Sequence, residues 1–408
     1  MRPIRETISL DEARAIIAGA TAPVERVERV ALAASCGRVL AADVVSPMDV
    51  PPFARAAMDG YAVVAADTFG ATQYAPKVLA LVETVYTGQV PTLAVKGGQC
   101  TEIATGAPMP AGADAVVMVE ETEKRPPGEV RVFSPVYPAQ NVGRRAADIE
   151  AGQTLLGRGD VLNPSRIGAI AAIGLDEVEV FAKPCVAILS TGNEIADPGR
   201  PLAPGQIYDI NKFTLTAIIG EHGGLAVPLP TAADTLEDLG RAIDEAADAD
   251  IVIFSGGSSV GERDLILDVM AQKGEVLFHG IAVKPGKPTL FGLVGPAGAG
   301  RRTPVLGMPG YPTSCLSNGY MLLVPMLRRL ARLPDAQLRS VTLPLGQRVV
   351  STTGRHQFYT VRIVDGVAVP AFKASGDITS MSQADGYIEI AAQTELVEAG
   401  EMVDVKLL

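Results

Sequence analysis

The sequence predicts a multidomain protein of the α/β plus β class, with a doubly wound α/β domain, an inserted small β domain and a C-terminal β-barrel domain. Strand and helix patterns alternate between residues 183 and 330, which indicates a mainly parallel sheet with helices on both faces. Short strands separated by Gly and Pro occupy residues 46–148, and a second such group follows residue 331. That spacing is typical of small all-β domains.

The length and composition indicate a soluble globular protein. The chain has 408 residues, of which 48% are hydrophobic and 20% are charged. It lacks the run of about 18 apolar residues that predicts a membrane span. The N-terminus lacks the apolar centre of a signal peptide, so we expect a cytoplasmic protein. A net charge of −11 argues against nucleic-acid binding, and four scattered cysteines predict buried free thiols.

The N-terminal segment predicts helices on either side of the inserted β domain. Ser9 and Glu12 fit a capping box that begins a first helix. A second helix is predicted over Val30 to Ala42, and Asn163-Pro164 begin a third helix that Gly174 ends. The predicted domains are an N-terminal helical domain in two pieces (1–45 and 149–180), the inserted β domain (46–148), the α/β domain (181–330) and the C-terminal β domain (331–408).

The stretch from Ile251 to Asp264 reads as a buried strand, a loop of small residues and the beginning of a helix. This geometry directs backbone N–H groups and a helix N-terminus at one point, which suits a phosphate or another oxyanion. The alternative is a tight turn without a ligand, since Gly-rich turns are common. Other strand-end loops favour a ligand, because such loops meet in one crevice. These loops are 190–194, 205–213, 284–288 and 308–312.

Charged residues in these loops fit anion and metal binding. Lys284 and Lys287 lie in a loop stiffened by Pro and Gly, where two ammonium groups suit a small oxyanion. The alternative is two solvated lysines. Glu194, Asp209 and Asp264 lie at or near strand ends, where their oxygens could together hold Mg²⁺. Each carboxylate alone fits a helix cap or a surface charge better than a metal ligand.

The inserted β domain carries two further carboxylates beside turns, Asp59 and Asp148. A rigid loop, Thr105–Pro110, lies at its predicted edge. We expect these residues to reach the crevice only if two domains or two subunits face each other. In the C-terminal domain, Asp365-Gly366 between two strand patterns predicts a tight hairpin.

Seven motifs together resemble the molybdopterin molybdenumtransferase family, which includes MoeA and the gephyrin E domain. They occur in the family's order and cover nearly the whole chain, which makes the resemblance specific. The motifs are MDGYAV (58–63), TGAPMPAGADAVVMVEET (105–122), STGNE (190–194), GQIYDIN (205–211), SGGSSVGERD (255–264), VKPGKPTLFG (283–292) and GMPGYPTS (307–314).

The resemblance implies an elongated, four-domain homodimer whose α/β domain binds molybdopterin. The implied reaction takes adenylylated molybdopterin and molybdate, requires Mg²⁺, releases AMP and leaves molybdenum on the dithiolene. It also implies that the partner subunit's inserted domain completes the site. Molybdopterin adenylyltransferase and recipient molybdoenzymes are the further partners that we expect.

The resemblance and the loop analysis together give two groups of candidate site residues. The catalytic group is Asp59, Asp148, Glu194, Asp264, Lys284 and Lys287, with Glu194 and Asp264 as metal ligands. The cofactor-binding group is Thr105, Gly106, Thr191, Gly192, Asp209, Asn211, Ser255, Gly256, Gly257, Ser258, Gly261, Pro309, Gly310, Arg362 and Ser375.

Four positions depart from the family pattern. Ser258 and Tyr311 replace a Val and an Asn, and the Glu before Asp148 is absent. Thr360 replaces an Arg implicated in molybdate contact, while Arg362 lies two residues further along the same strand face. These departures keep open the alternative of a non-catalytic molybdopterin-binding delivery protein. A second enzymatic alternative, molybdopterin adenylyltransferase, is disfavoured because it resembles the α/β domain alone.

Overall fold

The structure is a computed structural model that describes residues 6–246, 248–256, 265–295 and 302–408. The chain forms two compact units. The larger unit comprises the residues up to 28, residues 37–39 and residues 180–408, and the smaller unit comprises residues 29–36 and 40–179. Within the described ranges, no helix is both long and apolar enough to cross a membrane.

The first helix, α1 (Leu10–Ala20), begins as the capping box predicts, because the Ser9 hydroxyl accepts the Glu12 N–H at 3.1 Å. The helix predicted over Val30 to Ala42 is wrong. That segment holds strand β1 (Val27–Ala31) and one short 3₁₀ turn. Its backbone groups form hydrogen bonds with distant segments: the Leu40 N–H, for example, donates to the Asp160 backbone carbonyl at 2.9 Å. Long-range pairing therefore outweighs the local helix propensity.

The smaller unit is built on a six-stranded sheet in the order β7-β4-β6-β5-β9-β8, where only β5 and β6 run parallel. Alternate side chains such as Tyr61, Val63 and Val117 form its core. Its elements are β2 (Val44–Val45), β3 (Arg55–Ala56), β4 (Gly60–Val63), β5 (Lys77–Val85), β6 (Gln99–Ile103), β7 (Ala115–Met118), β8 (Thr122–Arg125), β9 (Glu129–Val132), β10 (Val142–Gly143), β11 (Thr154–Leu156) and α2 (Pro164–Ala172). Strand β12 (Glu177–Phe181) follows and pairs with β1.

Two details of this unit match the sequence. Helix α2 begins where Asn163 accepts the Arg166 N–H at 2.9 Å and is followed by Gly174 in the left-handed region, as predicted. The chain enters and leaves the six-stranded part along one antiparallel stem, β2 with β11. Backbone bonds from Ser46 to Gln153 (2.9 Å) and from Val50 to Ile149 (2.8 Å) extend this stem.

The α/β part of the larger unit has the predicted strand–helix alternation. Its six-stranded sheet has the order β16-β13-β17-β21-β20-β18, parallel through β21 and antiparallel beyond. The elements are β13 (Cys185–Ser190), β14 (Ile195–Ala196), β15 (Ile207–Tyr208), α3 (Asn211–Glu221), β16 (Leu225–Pro228), α4 (Leu236–Glu245), β17 (Ile251–Ser255), α5 (Leu265–Lys273), β18 (Gly274–His279), β19 (Val283–Lys284), β20 (Leu290–Val294), β21 (Thr303–Met308), α6 (Pro312–Asn318), a π turn (Gly319–Leu323) and α7 (Val324–Leu330).

Both faces of this sheet are covered. Ile251 and Ile253 point to the core shared with α1, α3, α6 and α7, whereas Val252 and Phe254 point to the core shared with α4 and α5. A strand that is buried on both faces has apolar residues at every position. The run IVIF therefore predicted strand β17 correctly. The hairpin connection predicted at 295–302 joins the antiparallel strands β20 and β21, and its residues 296–301 lie outside the described residues.

The C-terminal part is an antiparallel sheet in the order β24-β26-β28-β22. Strand β19 of the α/β part adds to its edge by pairing in parallel with β24. The predicted hairpin is confirmed, because Asp365 and Gly366 both have positive φ between β24 and β25. The elements are β22 (Ser340–Pro344), β23 (Val349–Val350), β24 (His356–Val364), β25 (Val367–Pro370), α8 (Thr379–Ser382), β26 (Gly386–Ile390), β27 (Leu396–Val397) and β28 (Met402–Leu407).

All four cysteines are free thiols, as predicted. Cys100 and Cys315 are buried, and burial raises the pKa of each thiol to about 12. Cys185 is half-buried, and Cys36 is exposed. The expectation that all four are buried is therefore wrong for Cys36, which lies in the irregular segment where the sequence predicted a helix.

Candidate active site

The candidate site begins at the carboxyl ends of three neighbouring parallel strands. Ser190 pairs with Ser255, and Ser255 pairs with Met308, so the loops that follow start side by side. The Thr191 N–H donates to the Ser255 carbonyl at 3.1 Å. A Cβ added at Gly256 would lie 2.5 Å from the Thr191 carbonyl oxygen, and Gly256 has a φ of 105°. Only glycine fits this close approach between two loops.

The loop after β21 joins the same group. Pro309 is buried, and a Cβ added at Gly310 would lie 3.5 Å from the Gly256 Cα. Asn211, the first residue of α3, donates its side-chain Nδ2 to the Gly310 carbonyl at 2.9 Å. The structure therefore brings Thr191, Gly256, Gly310 and Asn211 together, as the convergence of strand-end loops predicted.

Asp209 organises the start of helix α3. Its Oδ1 accepts the Lys212 N–H at 3.0 Å, which caps the first turn. The Lys212 ammonium lies 3.8 Å from Asp209 Oδ2 and 2.7 Å from Asp197 Oδ1. Asp209 is 4% exposed. These contacts place Asp209 at the cap of α3 beside Lys212, and its role as a Mg²⁺ ligand stays a prediction.

Four buried polar atoms at this end of the sheet have no hydrogen-bond partner among the described residues: Ser190 Oγ, Thr191 Oγ1, Asp209 Oδ2 and Asn211 Oδ1. A buried polar atom left without a partner typically costs about 1–3 kcal/mol. Four such atoms in adjoining segments are unusual, and functional sites are where such groups collect. Their hydroxyl, carboxylate and amide groups suit a polar ligand that enters between the strand ends.

Glu194 folds back over the preceding turn. A Cβ added at Gly192 would lie 2.7 Å from Glu194 Oε2, and Gly192 has a φ of 138°. A second carboxylate, Asp234, lies within electrostatic range of Glu194. Partial burial raises the pKa of Asp234, and the negative charge of Glu194 raises it further. Two neighbouring carboxylates that repel each other suit a divalent cation.

The sequence analysis missed Asp234. It follows β16, the strand beside β13, and the adjoining Ala232 pairs with Thr191. The rule that ligands bind after parallel strands would have found it once β16 was recognised as a sheet strand.

Across the part of the chain that the structure describes, no three His, Cys, Asp or Glu side chains form a metal-ligand group. Four predicted site residues lie outside the described residues: Gly257, Ser258, Gly261 and Asp264.

The two predicted anion-binding lysines lie on either side of Gly286: Lys284 ends strand β19, and Lys287 lies in the loop between β19 and β20. The Lys284 ammonium donates to Thr352 Oγ1 at 2.8 Å, so its described contact leads to the C-terminal sheet. The Lys287 carbonyl accepts N–H bonds from Ile281 (3.0 Å) and Thr289 (2.9 Å), which fix the loop backbone. Their convergence with the strand-end loops remains a prediction.

A segment of the C-terminal part covers the beginning of α6. The Ser375 carbonyl accepts the Thr313 N–H at 3.2 Å, and Thr313 Oγ1 donates to the Asp377 carbonyl at 3.0 Å. Ser375 therefore lies beside the loop that carries Gly310. Arg362 is exposed on β24, opposite Val369. Its role in binding also stays a prediction.

In the smaller unit, Asp59 and Thr105 are hydrogen-bonded to each other. Thr105 donates both its backbone N–H (2.7 Å) and its hydroxyl (2.9 Å) to Asp59 Oδ1, and these bonds lower the Asp59 pKa. Gly106 has a φ of 83°, which favours glycine in this turn. Asp148 is exposed near the stem, where its N–H donates to the Val50 carbonyl at 3.0 Å.

A small cavity of about 190 Å³ opens beside Asp59. Tyr61 and Tyr86 contribute to its walls, together with Glu102, which is paired with Lys124 at 2.7 Å. Burial raises the pKa of Tyr61, so its phenol is neutral. The cavity is lined by the carboxylates of Asp59 and Glu102 and by the aromatic side chains of Tyr61 and Tyr86.

Three family models together cover most of the chain. They describe the MoeA N-terminal region with domains I and II (residues 8–174), a probable molybdopterin binding domain (residues 187–329) and the MoeA C-terminal region with domain IV (residues 342–408). The chain belongs to the MoeA family of molybdopterin molybdenumtransferases. These matches confirm the resemblance. They also argue against the adenylyltransferase alternative, which predicts the α/β domain alone.

Relatives along the full length support the same assignment. Molybdopterin molybdenumtransferase 2 of Mycobacterium tuberculosis is 35% identical over 90% of this chain and 92% of its own length. Molybdopterin molybdenumtransferase of Haemophilus influenzae is 30% identical over 98% of both chains. A crystal structure of a molybdopterin biosynthesis MoeA protein from Pyrococcus horikoshii has a TM-score of 0.85 at 40% identity, covering 98% of this chain and 99% of that one. The predicted multidomain α/β plus β fold is confirmed, and this MoeA protein is an enzyme of that family.

Proposed function

We propose that this MoeA protein inserts molybdenum from molybdate into adenylylated molybdopterin, with Mg²⁺-dependent release of AMP. The observation that carries the proposal is the group of buried polar atoms on Ser190, Thr191, Asp209 and Asn211 that have no hydrogen-bond partner among the described residues. They lie beside loops that Gly256 and Gly310 bring into close contact. An anionic nucleotide–pterin substrate has the phosphate and heterocycle groups that this polar crevice would bind.

The carboxylates of Glu194 and Asp234 fit a Mg²⁺ ion, because burial and the negative charge of Glu194 raise the pKa of Asp234, and a bound cation would offset that repulsion. Asp264, which lies outside the described residues, is the further ligand that we propose. Bound Mg²⁺ would neutralise the phosphate charge of the substrate during cleavage of the adenylate. The residues around it hold the substrate and keep the crevice polar.

Lys284 and Lys287 are proposed to bind molybdate through their ammonium groups, because two positive charges in a stiff loop suit a dianion. Asp59, Thr105 and Asp148 are proposed to complete the site from the partner subunit of a homodimer. Asp59 stays ionised well below neutral pH, because both Thr105 donors favour its charged form. An ionised carboxylate there can accept hydrogen bonds from the amino groups of a pterin.

A second candidate function is a molybdopterin-binding delivery protein without turnover. Tyr311 favours it: the side chain is 67% exposed beside Gly310, and its ring lies 3.7 Å from a Cβ position built at Gly376. An Asn in this loop could donate and accept amide hydrogen bonds to a ligand, whereas a tyrosine offers one hydroxyl and a ring face. Binding without transfer is what such a change would produce.

The deciding experiment measures AMP release from adenylylated molybdopterin with molybdate and Mg²⁺ each present or omitted. We expect release only when both are present. Replacing Glu194 by Ala should abolish release while pterin binding persists, with Asp244→Asn on the exposed face of α4 as a control. Tight pterin binding without any molybdate-dependent release by the unmodified protein would reject the transferase and favour the delivery protein.

A further inference from the structure

Asn318, the last residue of α6, is fully buried and bonded to the lysine-bearing loop. Its Nδ2 donates to the Gly286 carbonyl at 3.0 Å and to Thr289 Oγ1 at 2.6 Å. The Thr289 hydroxyl in turn donates to the same Gly286 carbonyl at 2.8 Å. One amide and one hydroxyl thus hold a single carbonyl that lies between Lys284 and Lys287 in the sequence, directly before Lys287.

The loop is built around this amide. Gly286 has a φ of 106°, and a Cβ added there would lie 2.4 Å from Asn318 Oδ1 and 2.6 Å from Nδ2. Any larger residue would therefore collide with Asn318 as well as strain the backbone. The first arm of the loop ends at Lys284 in the pairing of β19 with β24, and the second ends at Thr289, whose carbonyl accepts the Gly280 N–H at 2.8 Å.

The chemistry of Asn318 argues for positioning rather than for packing. A fully buried amide loses its hydration, and here only the Nδ2 side recovers hydrogen bonds, because Oδ1 has no partner among the described residues. An apolar residue of similar size would fill the same volume without that cost. What the apolar residue would lack is a donor that fixes the Gly286 carbonyl, and with it the direction in which both flanking lysines leave the backbone.

We propose that Asn318 is a positioning residue that holds the Lys284–Thr289 loop in the conformation that binds molybdate. The inference rests on the proposed function, since it assigns molybdate to Lys284 and Lys287. Two ammonium groups bind a dianion well only when their separation is preset, because otherwise each side chain loses conformational freedom on binding. Asn318 supplies this preset geometry from a helix behind the loop.

The test measures molybdate binding by calorimetry, and the molybdate KM and kcat of AMP release, in the full-length protein. Asn318→Ala should weaken molybdate binding and raise its KM about tenfold, with kcat and pterin affinity within about twofold, which is the pattern of lost ground-state binding. Thr289→Val, which removes the bridging hydroxyl, should behave alike, and Thr289→Ser, which keeps it, should restore molybdate binding.

Ser317→Ala is the matched control. Ser317 is equally buried on the same helix and donates to Ser314 within it at 3.1 Å. It should leave the molybdate KM unchanged even if it lowers Tm. If Asn318→Ala does not fold, the two Thr289 variants decide the matter.

Unchanged molybdate affinity in folded Asn318→Ala and Thr289→Val, or an equal loss in Ser317→Ala, overturns the positioning role. Failure of the proposed function is visible separately, as molybdate binding without AMP release in the unmodified protein. Absence of molybdate binding to the unmodified protein overturns both proposals.

Discussion

Asn211 donates its side-chain amide to the Gly310 carbonyl at 2.9 Å, which ties the beginning of α3 to the loop after β21. Each segment follows a different part of the sheet, and Gly310 in turn lies against Gly256. The bond therefore sets the distance between two loops of the candidate site. A variant that lacks this hydrogen bond would change the distance between the two loops while keeping every charged residue of the site.

Replacing Asn211 by Ala should raise the KM for adenylylated molybdopterin about tenfold and lower Tm only slightly. The physical reason is that the Gly310 carbonyl loses its donor and the loop gains freedom, at a cost of about 1–2 kcal/mol. Steady-state AMP release checks this. Thr216→Val is the control, since Thr216 bonds to the Lys212 carbonyl (2.7 Å) further along the same helix. Equal KM values for the two variants would contradict the prediction.

Asp234→Asn should raise the Mg²⁺ concentration that gives half-maximal AMP release by about tenfold. The Asp234 carboxylate, whose pKa the charge of Glu194 raises, is absent from this variant. A site with one carboxylate fewer binds a divalent cation more weakly. A Mg²⁺ titration of the activity gives the shift. In Asp244→Asn, whose carboxylate pairs with Lys273 on the protein surface, the Mg²⁺ requirement should be unaltered. A normal Mg²⁺ response in Asp234→Asn would remove Asp234 from the site.

Thr105→Val should raise the pKa of Asp59, because the variant keeps the backbone donor but loses the hydroxyl donor. The folded-state pKa of Asp59 lies below its ordinary value, so ionisation is retained as pH falls and is lost only below that value. In Thr105→Val the loss occurs at a higher pH. NMR titration of the Asp59 carboxyl carbon measures the shift, and Thr87→Val, whose hydroxyl bonds only to the Thr105 carbonyl, is the control. Coincident titration curves would contradict this account.

Glu389 should stabilise the C-terminal sheet only above acidic pH. His356 at 3.5 Å and Lys406 at 3.0 Å hold its pKa at about 2, compared with the ordinary value of 4.5. The pKa is depressed by folding, so the stabilisation is fully present above 4.5 and disappears as pH falls towards about 2.

Urea unfolding across this pH range tests the role of Glu389. Glu389→Gln should have a lower free energy of unfolding than the unmodified protein at neutral pH. The difference should shrink steadily on acidification. Glu398→Gln, on an exposed turn, is the control. A difference that does not depend on pH would assign the loss to packing instead.

The sequence predicts those features that local patterns determine. The apolar run Ile251–Phe254 predicts a buried strand, and Gly256 after it makes a close approach to Thr191, so the carboxyl-end crevice could be predicted. The error over Val30–Ala42 arises because that segment bonds to residues more than a hundred positions away, such as Leu40 to Asp160. The helix and strand propensities of the residues themselves do not identify such distant partners.

The side chains that support the site could not be predicted from the sequence either. Asp234 becomes a candidate only when β16 is placed beside β13, and Asn318 reads as an ordinary helix residue until Gly286 is seen against it. Lys284 was predicted in a loop but ends strand β19, and its contact with Thr352 depends on β19 joining the C-terminal sheet. Tertiary strand order, which residue spacing does not encode, decides each of these cases.

The antiparallel stem of β2 and β11 encloses about a hundred residues. We call this stretch the cassette, because evolution could exchange it as one unit. Its two ends are already hydrogen-bonded neighbours, from Val45 beside Thr154 to Val50 beside Ile149. Recombination at the stem could exchange or delete the cassette while the flanking scaffold keeps its closure, since no gap has to be spanned. Lineages sharing this scaffold can therefore diversify the cassette independently of the sheet that follows it.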